Sequence, residues 1–285
     1  MLKEIAELPS NIATRRIQEI YTEPIKPELI AKRLHTIRDA GVTVAGALSP
    51  QRTQELYNTV LEAGVDLFVI RGTAVSAEHV SKDHEPLDLK KFIYDLDVPV
   101  IVGGCADYTS ALHLMRTGAA GILVGFGGGA VSATMNTLGV QAPMATAIAD
   151  VAEARRDYMD ESGGRYVQII ADGGMGNSGS FIKALAVGAD AVMLGTPLAR
   201  ATEAPGHGTH WGAEARHSSL PRGMRSNVGT VAPLENILFG PSHEADGTTN
   251  FVGALRRTMA STGYVDVKSF QRCSVVFNPF HQDIR

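Results

Sequence analysis

The run ADGGMGNSG, residues 171–179, sets one carboxylate, Asp172, among four glycines, directly after the apolar stretch YVQII and before an amphipathic segment around FIKALAVG. Glycines at such a junction let backbone N–H groups come close to an anion at a helix N-terminus, which is phosphate-binding chemistry. Gly174, Gly176 and Gly179 fit G-x-G-x-x-G, so a dinucleotide site has to be weighed. Such a site needs an acidic residue about 20 residues further on, at the end of the next strand, to hold a ribose. Gly195 and Thr196 stand there instead. They make a second small, hydroxyl-bearing loop, the other half of a phosphate cup of the kind barrels build after their last two strands. Asp172, at the C-terminal end of its strand, either accepts hydrogen bonds from a ribose diol or caps the following helix.

A third run, GFGGGAVSATMNTLG at residues 125–139, is too rich in glycine for a helix and follows another apolar stretch. It reads as a loop that shapes a ligand site and whose carbonyls hold a cation. Ser132 and Thr134 supply its hydroxyls, with no histidine nearby in sequence to activate either as a nucleophile. His207, His210, His217 and His243 lack metal-ligand spacing and read as solvated loop histidines. Arg256 and Arg257 are either phosphate neutralisers or surface charges, and Asp157, Asp160 and Glu161 read as a solvated helix face.

These loops need a frame. Short β-rich runs VTVAGAL, DLFVIRG, VPVIVGG, GILVGFG, YVQIIADGG and AVMLGT alternate with helix-length segments, the βα signature of a parallel sheet. AGVT, AGVD, TGAA and VGAD repeat one helix-to-strand handover, with glycine accepting the left-handed conformation that ends a helix. The expected fold is α/β, a (β/α)8 TIM barrel with about six βα units readable and its first two strands missing, so the chain is read as truncated at its N-terminus. Residues 1–39 form a helical lead-in broken by Pro9, Pro24 and Pro27. Residues 40–285 form the partial barrel, with an irregular flap region at about 204–250 and a final helix near Phe251–Ser261.

Composition narrows the function classes. Hydrophobic residues are 44% and charged residues 20% of 285, with 30 glycines, which suits a globular protein of short strands and tight turns. A net charge of -4 and the lack of any basic tract argue against a nucleic-acid partner. No apolar run approaches the roughly 20 residues that span a bilayer, so no membrane partner is expected. Two cysteines, Cys105 and Cys273, make neither a disulfide framework nor a ligand cluster, which suits a reducing cytoplasm.

The ordered loops VGFGGGAVSATMNTLGVQAPMATAIADVA, ADGGMGNSGSFIKALAVGADAVMLGTPLA, LPRGM and VGALRRTMASTGY resemble the IMP dehydrogenase/GMP reductase family, over residues 40 to about 270. The likeness is to the short bacterial dehydrogenase-like paralogues without the CBS insert, with residues 1–39 at the insert's position. The resemblance implies that Asp172, Gly173 and Gly174 contact the ribose and phosphate of IMP or GMP, and that Gly195 and Thr196 complete the phosphate cup. It implies Gly223 and Met224 on the base side of that purine mononucleotide, and Gly125, Phe126 and Gly127 beside the nicotinamide of NAD or NADP. Carbonyls of Gly127, Gly129 and Ser132 would hold a monovalent cation such as K+, and a homotetramer is implied. Ser132, with Thr134 close by, falls where the family's catalytic thiolate attacks C2 of the purine. Further departures are Arg71 in place of the aspartate that usually meets NAD, Ala130 in place of a serine, and no match for the flap's Arg-Tyr pair. The implied activity is NAD-dependent oxidation of IMP to XMP in guanine nucleotide synthesis. The alternatives are GMP reductase with NADPH, or a catalytically weak nucleotide-binding paralogue.

Overall fold

The computed structural model describes residues 1–72, 87–127, 139–212 and 225–277. Three helices lead in: α1 (Leu2–Glu7), α2 (Ser10–Ile20) and α3 (Pro27–Asp39). The six apolar runs then become β1 (Ala45–Leu48), β2 (Leu67–Arg71), β3 (Val100–Cys105), β4 (Gly121–Val124), β5 (Gln168–Asp172) and β6 (Ala191–Met193), one parallel sheet in chain order. Parallel neighbours need crossover connections, normally helical. Those described are α4 (Pro50–Glu62), α5 (Leu89–Tyr94), α6 (Tyr108–Arg116), α7 (Met144–Glu161) and α8 (Ser178–Ala186). The architecture is six consecutive βα units of a (β/α)8 barrel, curled as in the closed fold; among the described residues β1 pairs only with β2 and β6 only with β5.

Side chains alternate across each strand, and both faces are apolar, which is why the strands read as near-continuous hydrophobic runs. Phe68, Ile70, Val100, Val102, Ile122, Val124 and Ile169 face outward and pack with Leu114, Met115, Ile148 and Val151 of the helices. Val69, Ile101 and Leu123 face inward with Leu67, Ile170 and Met193, forming the barrel's interior layer. Arg71 and Asp172 share this inward face, one step nearer the C-terminal mouth. The glycines of the four helix-to-strand handovers, Gly41, Gly64, Gly118 and Gly188, all have positive φ.

At the other end of the strands, Asp190 gathers a largely buried polar knot. It accepts from Arg155 Nη1 at 2.5 Å, from the Tyr166 hydroxyl at 2.6 Å and from the backbone N–H of Ile169 at 2.8 Å. Conserving fold rather than chemistry is the usual work of that barrel face.

Beyond β6 come α9 (Thr196–Ala199), the antiparallel pair β7 (Thr209–Trp211) and β8 (Arg225–Asn227), then α10 (Leu234–Phe239), α11 (Phe251–Thr262) and α12 (Val267–Phe270). The region from 204 to 250 is therefore partly regular, although sequence suggested irregularity throughout. Its strands are three residues each and pair at a distance along the chain, so no local period announces them. Helices α1 and α2 pack on this pair: Ile5, Ala13 and Ile17 form a cluster with Trp211, and Arg225 donates to the carbonyls of Ile5 at 2.5 Å and Ala6 at 2.6 Å. No helix among the described residues is long and apolar enough to cross a membrane.

Candidate functional site

Asp172 is the last residue of β5 and pairs in register with Met193, the last residue of β6. Gly173 and Gly174 therefore leave the sheet at the same level as Gly195 and Thr196, on neighbouring strands about 4.8 Å apart. This is the end of the sheet where barrel enzymes keep their chemistry. Gly174 has φ +75, which favours glycine, and Gly173 has φ +121. A Cβ placed on Gly174, Gly176 or Gly195 would meet nothing within 4 Å. These three glycines are thus not demanded by packing against the chain; they border open space. Among the described residues, the backbone N–H groups of Gly174, Met175, Gly176 and Gly195 donate to no protein acceptor.

The N-terminus of α8 is less open than the glycine pattern suggests. Asn177 caps it, its side chain accepting from the N–H of Ser180 at 2.9 Å. The N–H of Ser178 goes to the carbonyl of Gly247 at 2.8 Å. Two of the first-turn donors are therefore spent on the protein itself, which leaves the N–H of Gly179 on the helix beside the open donors of the glycine loops.

Asp172 is 5% exposed and does not cap α8. Its carboxylate is gripped side-on by Arg71, Nε to Oδ2 at 2.7 Å and Nη2 to Oδ1 at 3.1 Å. The backbone carbonyl of Asp172 accepts from the N–H of Gly127 at 3.2 Å, which ties the loop after β4 to the end of β5. Here the glycines are demanded by packing. A Cβ on Gly125 would stand 2.4 Å from the Asp172 carbonyl, and one on Gly127 2.9 Å from Arg71 Nη2. Half-buried Phe126 sits between them.

The family described as IMP dehydrogenase / GMP reductase domain matches residues 29–236. The chain belongs to this oxidoreductase family. It is 53% identical over 270 residues to an uncharacterized oxidoreductase of Mycobacterium tuberculosis, covering 94% of this chain and 72% of that protein. It is 31% identical over 239 residues to the inosine-5'-monophosphate dehydrogenase of Aquifex aeolicus, covering 78% of this chain and 46% of that one. A crystal structure of an IMP dehydrogenase/GMP reductase-like protein from Corynebacterium glutamicum superposes with a TM-score of 0.87 at 52% identity, covering 94% of this chain and 70% of that chain.

Of the residues expected to serve an IMP dehydrogenase/GMP reductase site, Gly125, Phe126, Gly127, Asp172, Gly173, Gly174, Gly195 and Thr196 come together at the sheet's C-terminal end. Gly129, Ser132, Thr134, Gly223 and Met224 lie outside the described residues. Among the described residues no group of three or more His, Cys, Asp or Glu could hold a metal ion. His207 and His243 are exposed, whereas His210 is half-buried on β7, its Nε2 without a partner and its pKa lowered by burial. Arg256 and Arg257 are exposed on α11. Asp157 and Glu161 are paired across to α6, with the Tyr108 hydroxyl at 2.6 Å and Arg116 Nη2 at 2.7 Å. Sequence reasoning missed the tie between Arg71 and Asp172. Its signal was an arginine ending the apolar strand LFVIR on the inward parity, a place that calls for a partner carboxylate.

Proposed function

We propose that this chain is an NAD-dependent oxidoreductase that converts IMP to XMP in guanine nucleotide synthesis. The observation that carries the reading is the open glycine cup: Gly174, Gly176 and Gly195 line empty space beside Asp172 in a member of this family. Backbone N–H groups there suit a phosphate, with Thr196 completing the cup. Gly173 and Asp172, further down the same loop, take the ribose. Gly223 and Met224 reach the base side, and Ser132, with Thr134, occupies the attacking position at C2.

The nicotinamide supplies the hydride acceptor when bound. Gly125 and Gly127, with half-buried Phe126 between them, are assigned to the nicotinamide side of the site. Carbonyls of Gly127, Gly129 and Ser132 are assigned to a K+ ion. We place the protein in the cytoplasm as a homotetramer, with a purine mononucleotide as its ligand and neither nucleic acid nor membrane as a partner.

Ser132 favours a second reading, a nucleotide-binding paralogue with weak turnover, and weighs against a GMP reductase using NADPH as much as against the dehydrogenase. A hydroxyl is far less acidic than a thiol and makes a poorer nucleophile unless a base activates it. Nicotinamide absorbance with IMP plus NAD or NADP, and with GMP plus NADPH, separates these readings. Turnover of IMP supports the leading one, turnover of GMP alone moves the chain to the reductase, and binding without turnover in either assay sinks both enzymes. Ser132→Cys should raise any dehydrogenase rate.

A further inference from the structure

Helix α1 ends on two carbonyls that its own backbone leaves open. The last four carbonyls of any helix lack an intrahelical partner and must find one elsewhere. The Glu4 carbonyl is met by the N–H of Leu8, but the next residue in line for Ile5 is Pro9, which has no N–H to give. Among the described residues no backbone N–H reaches the carbonyl of Ile5 or of Ala6. One nitrogen takes both: Arg225 Nη1, at 2.5 and 2.6 Å, from 220 positions beyond Ile5. A cation in that place also meets the negative end of the helix dipole.

Arg225 is the first residue of β8 and the ladder partner of Trp211 on β7. Directly opposed residues of an antiparallel pair share a face, and this face lies on α1 and α2. Trp211 packs with Ile5, Ala13 and Ile17, and its indole N–H meets the Tyr21 hydroxyl at 3.2 Å. Two strands of three residues are marginal in water by themselves, so the helices are what holds the pair in place. The residue directly before this anchored strand is Met224, which with Gly223 is assigned to the base side of the nucleotide.

We infer that Arg225 is a positioning residue for base recognition: by capping α1 it fixes the point where Gly223 and Met224 join β8, so that the lead-in helices set the site's preference for a purine. This rests on the proposed function, in which those two residues meet the base. A segment tethered at its end has part of its ordering cost met before the ligand arrives, and the difference appears as affinity. The tether acts on the base alone, because the cup of Gly174, Gly176 and Gly195 belongs to the loops after β5 and β6 and takes no part in these bonds.

The test is calorimetric titration of the full chain with IMP and with ribose 5-phosphate, which keeps the phosphate and sugar and lacks the base. The wild type is expected to bind IMP at least about tenfold tighter, and Arg225→Met, which keeps an apolar stem and no donor, should cut that ratio by about tenfold through IMP alone. Arg225→Lys should keep most of the ratio, because an ammonium can donate to both carbonyls from one nitrogen as Nη1 does. Should Arg225→Met fail to fold, Arg225→Gln takes its place: its neutral, shorter amide should narrow the ratio part of the way, and an unchanged ratio overturns the inference. Equal losses for both ligands in Arg225→Met, or a ratio near one already in the wild type, also overturn it and leave the phosphate cup standing. A wild type that binds neither ligand overturns the proposed function with it.

Discussion

Gly174 and Gly195 border the same open space with different backbones, and substitution should separate packing from ligand contact. Gly195 has φ -120 and ψ -72 with no atom near its missing Cβ, so Gly195→Ala should change unfolding free energy by less than about 0.5 kcal/mol. Gly174→Ala forces a side chain to φ +75 and should cost about 1–2 kcal/mol. Both should weaken nucleotide binding, measured by titration beside urea unfolding. Cys105 is chemically quiet for a local reason: burial first, and the charge of Asp107 second, push its thiol up to about 12. A thiol reagent at pH 8 should therefore modify the folded protein once, at Cys273, and twice after unfolding. The glycines and Asp172 were legible in sequence because they lie within a few residues of one another. The grip of Arg71 on Asp172 was not, because those residues are 101 positions apart and only the curl of the sheet brings them together.

At the scale of elements, the strand and helix order was readable because each strand is a short, near-continuous apolar run bounded by glycine and each helix between them carries its own period. The end of β6 was not: AVMLGT looks like a longer strand, yet Pro197 sets the first turn of α9 and the strand stops at Met193. Nor was the cap of α8, where Asn177 accepts from Ser180; Asn177→Ala should destabilise the protein by about 1 kcal/mol in urea unfolding. The knot around Asp190 ties α7, β5 and α12 together and carries a pH signature. Burial first, then the hydrogen bond to Asp190, raise the Tyr166 hydroxyl to about 12, above its unfolded value near 10. The native state holds that proton where the unfolded chain has lost it. The stabilisation is complete below pH 10 and fades as pH rises through 12. Denaturant midpoints from pH 9 to 11.5 should fall less steeply for Tyr166→Phe than for the wild type.

Across the whole molecule, the half-barrel, the β7–β8 pair and the lead-in helices form one connected body. Arg225 grips the end of α1, Trp211 closes the cluster of Ile5, Ala13 and Ile17, and its indole N–H meets the Tyr21 hydroxyl at 3.2 Å. Trp211 is the sole tryptophan, so its emission should shift to the red when residues 1–21 are removed, while far-ultraviolet dichroism of the barrel persists. None of this was visible in the sequence, where the lead-in helices and the pair lie some 200 residues apart. We propose that the cup between β5 and β6 holds the phosphate of a purine mononucleotide. Calorimetric titration with IMP and with inosine tests it most directly, in the wild type and in Gly195→Ala. The wild type is expected to bind IMP at least about tenfold tighter than inosine, a gap of about 1.4 kcal/mol, and Gly195→Ala to narrow the gap by filling the cup. Equal affinity for IMP and inosine, or a gap untouched by Gly195→Ala, would contradict it.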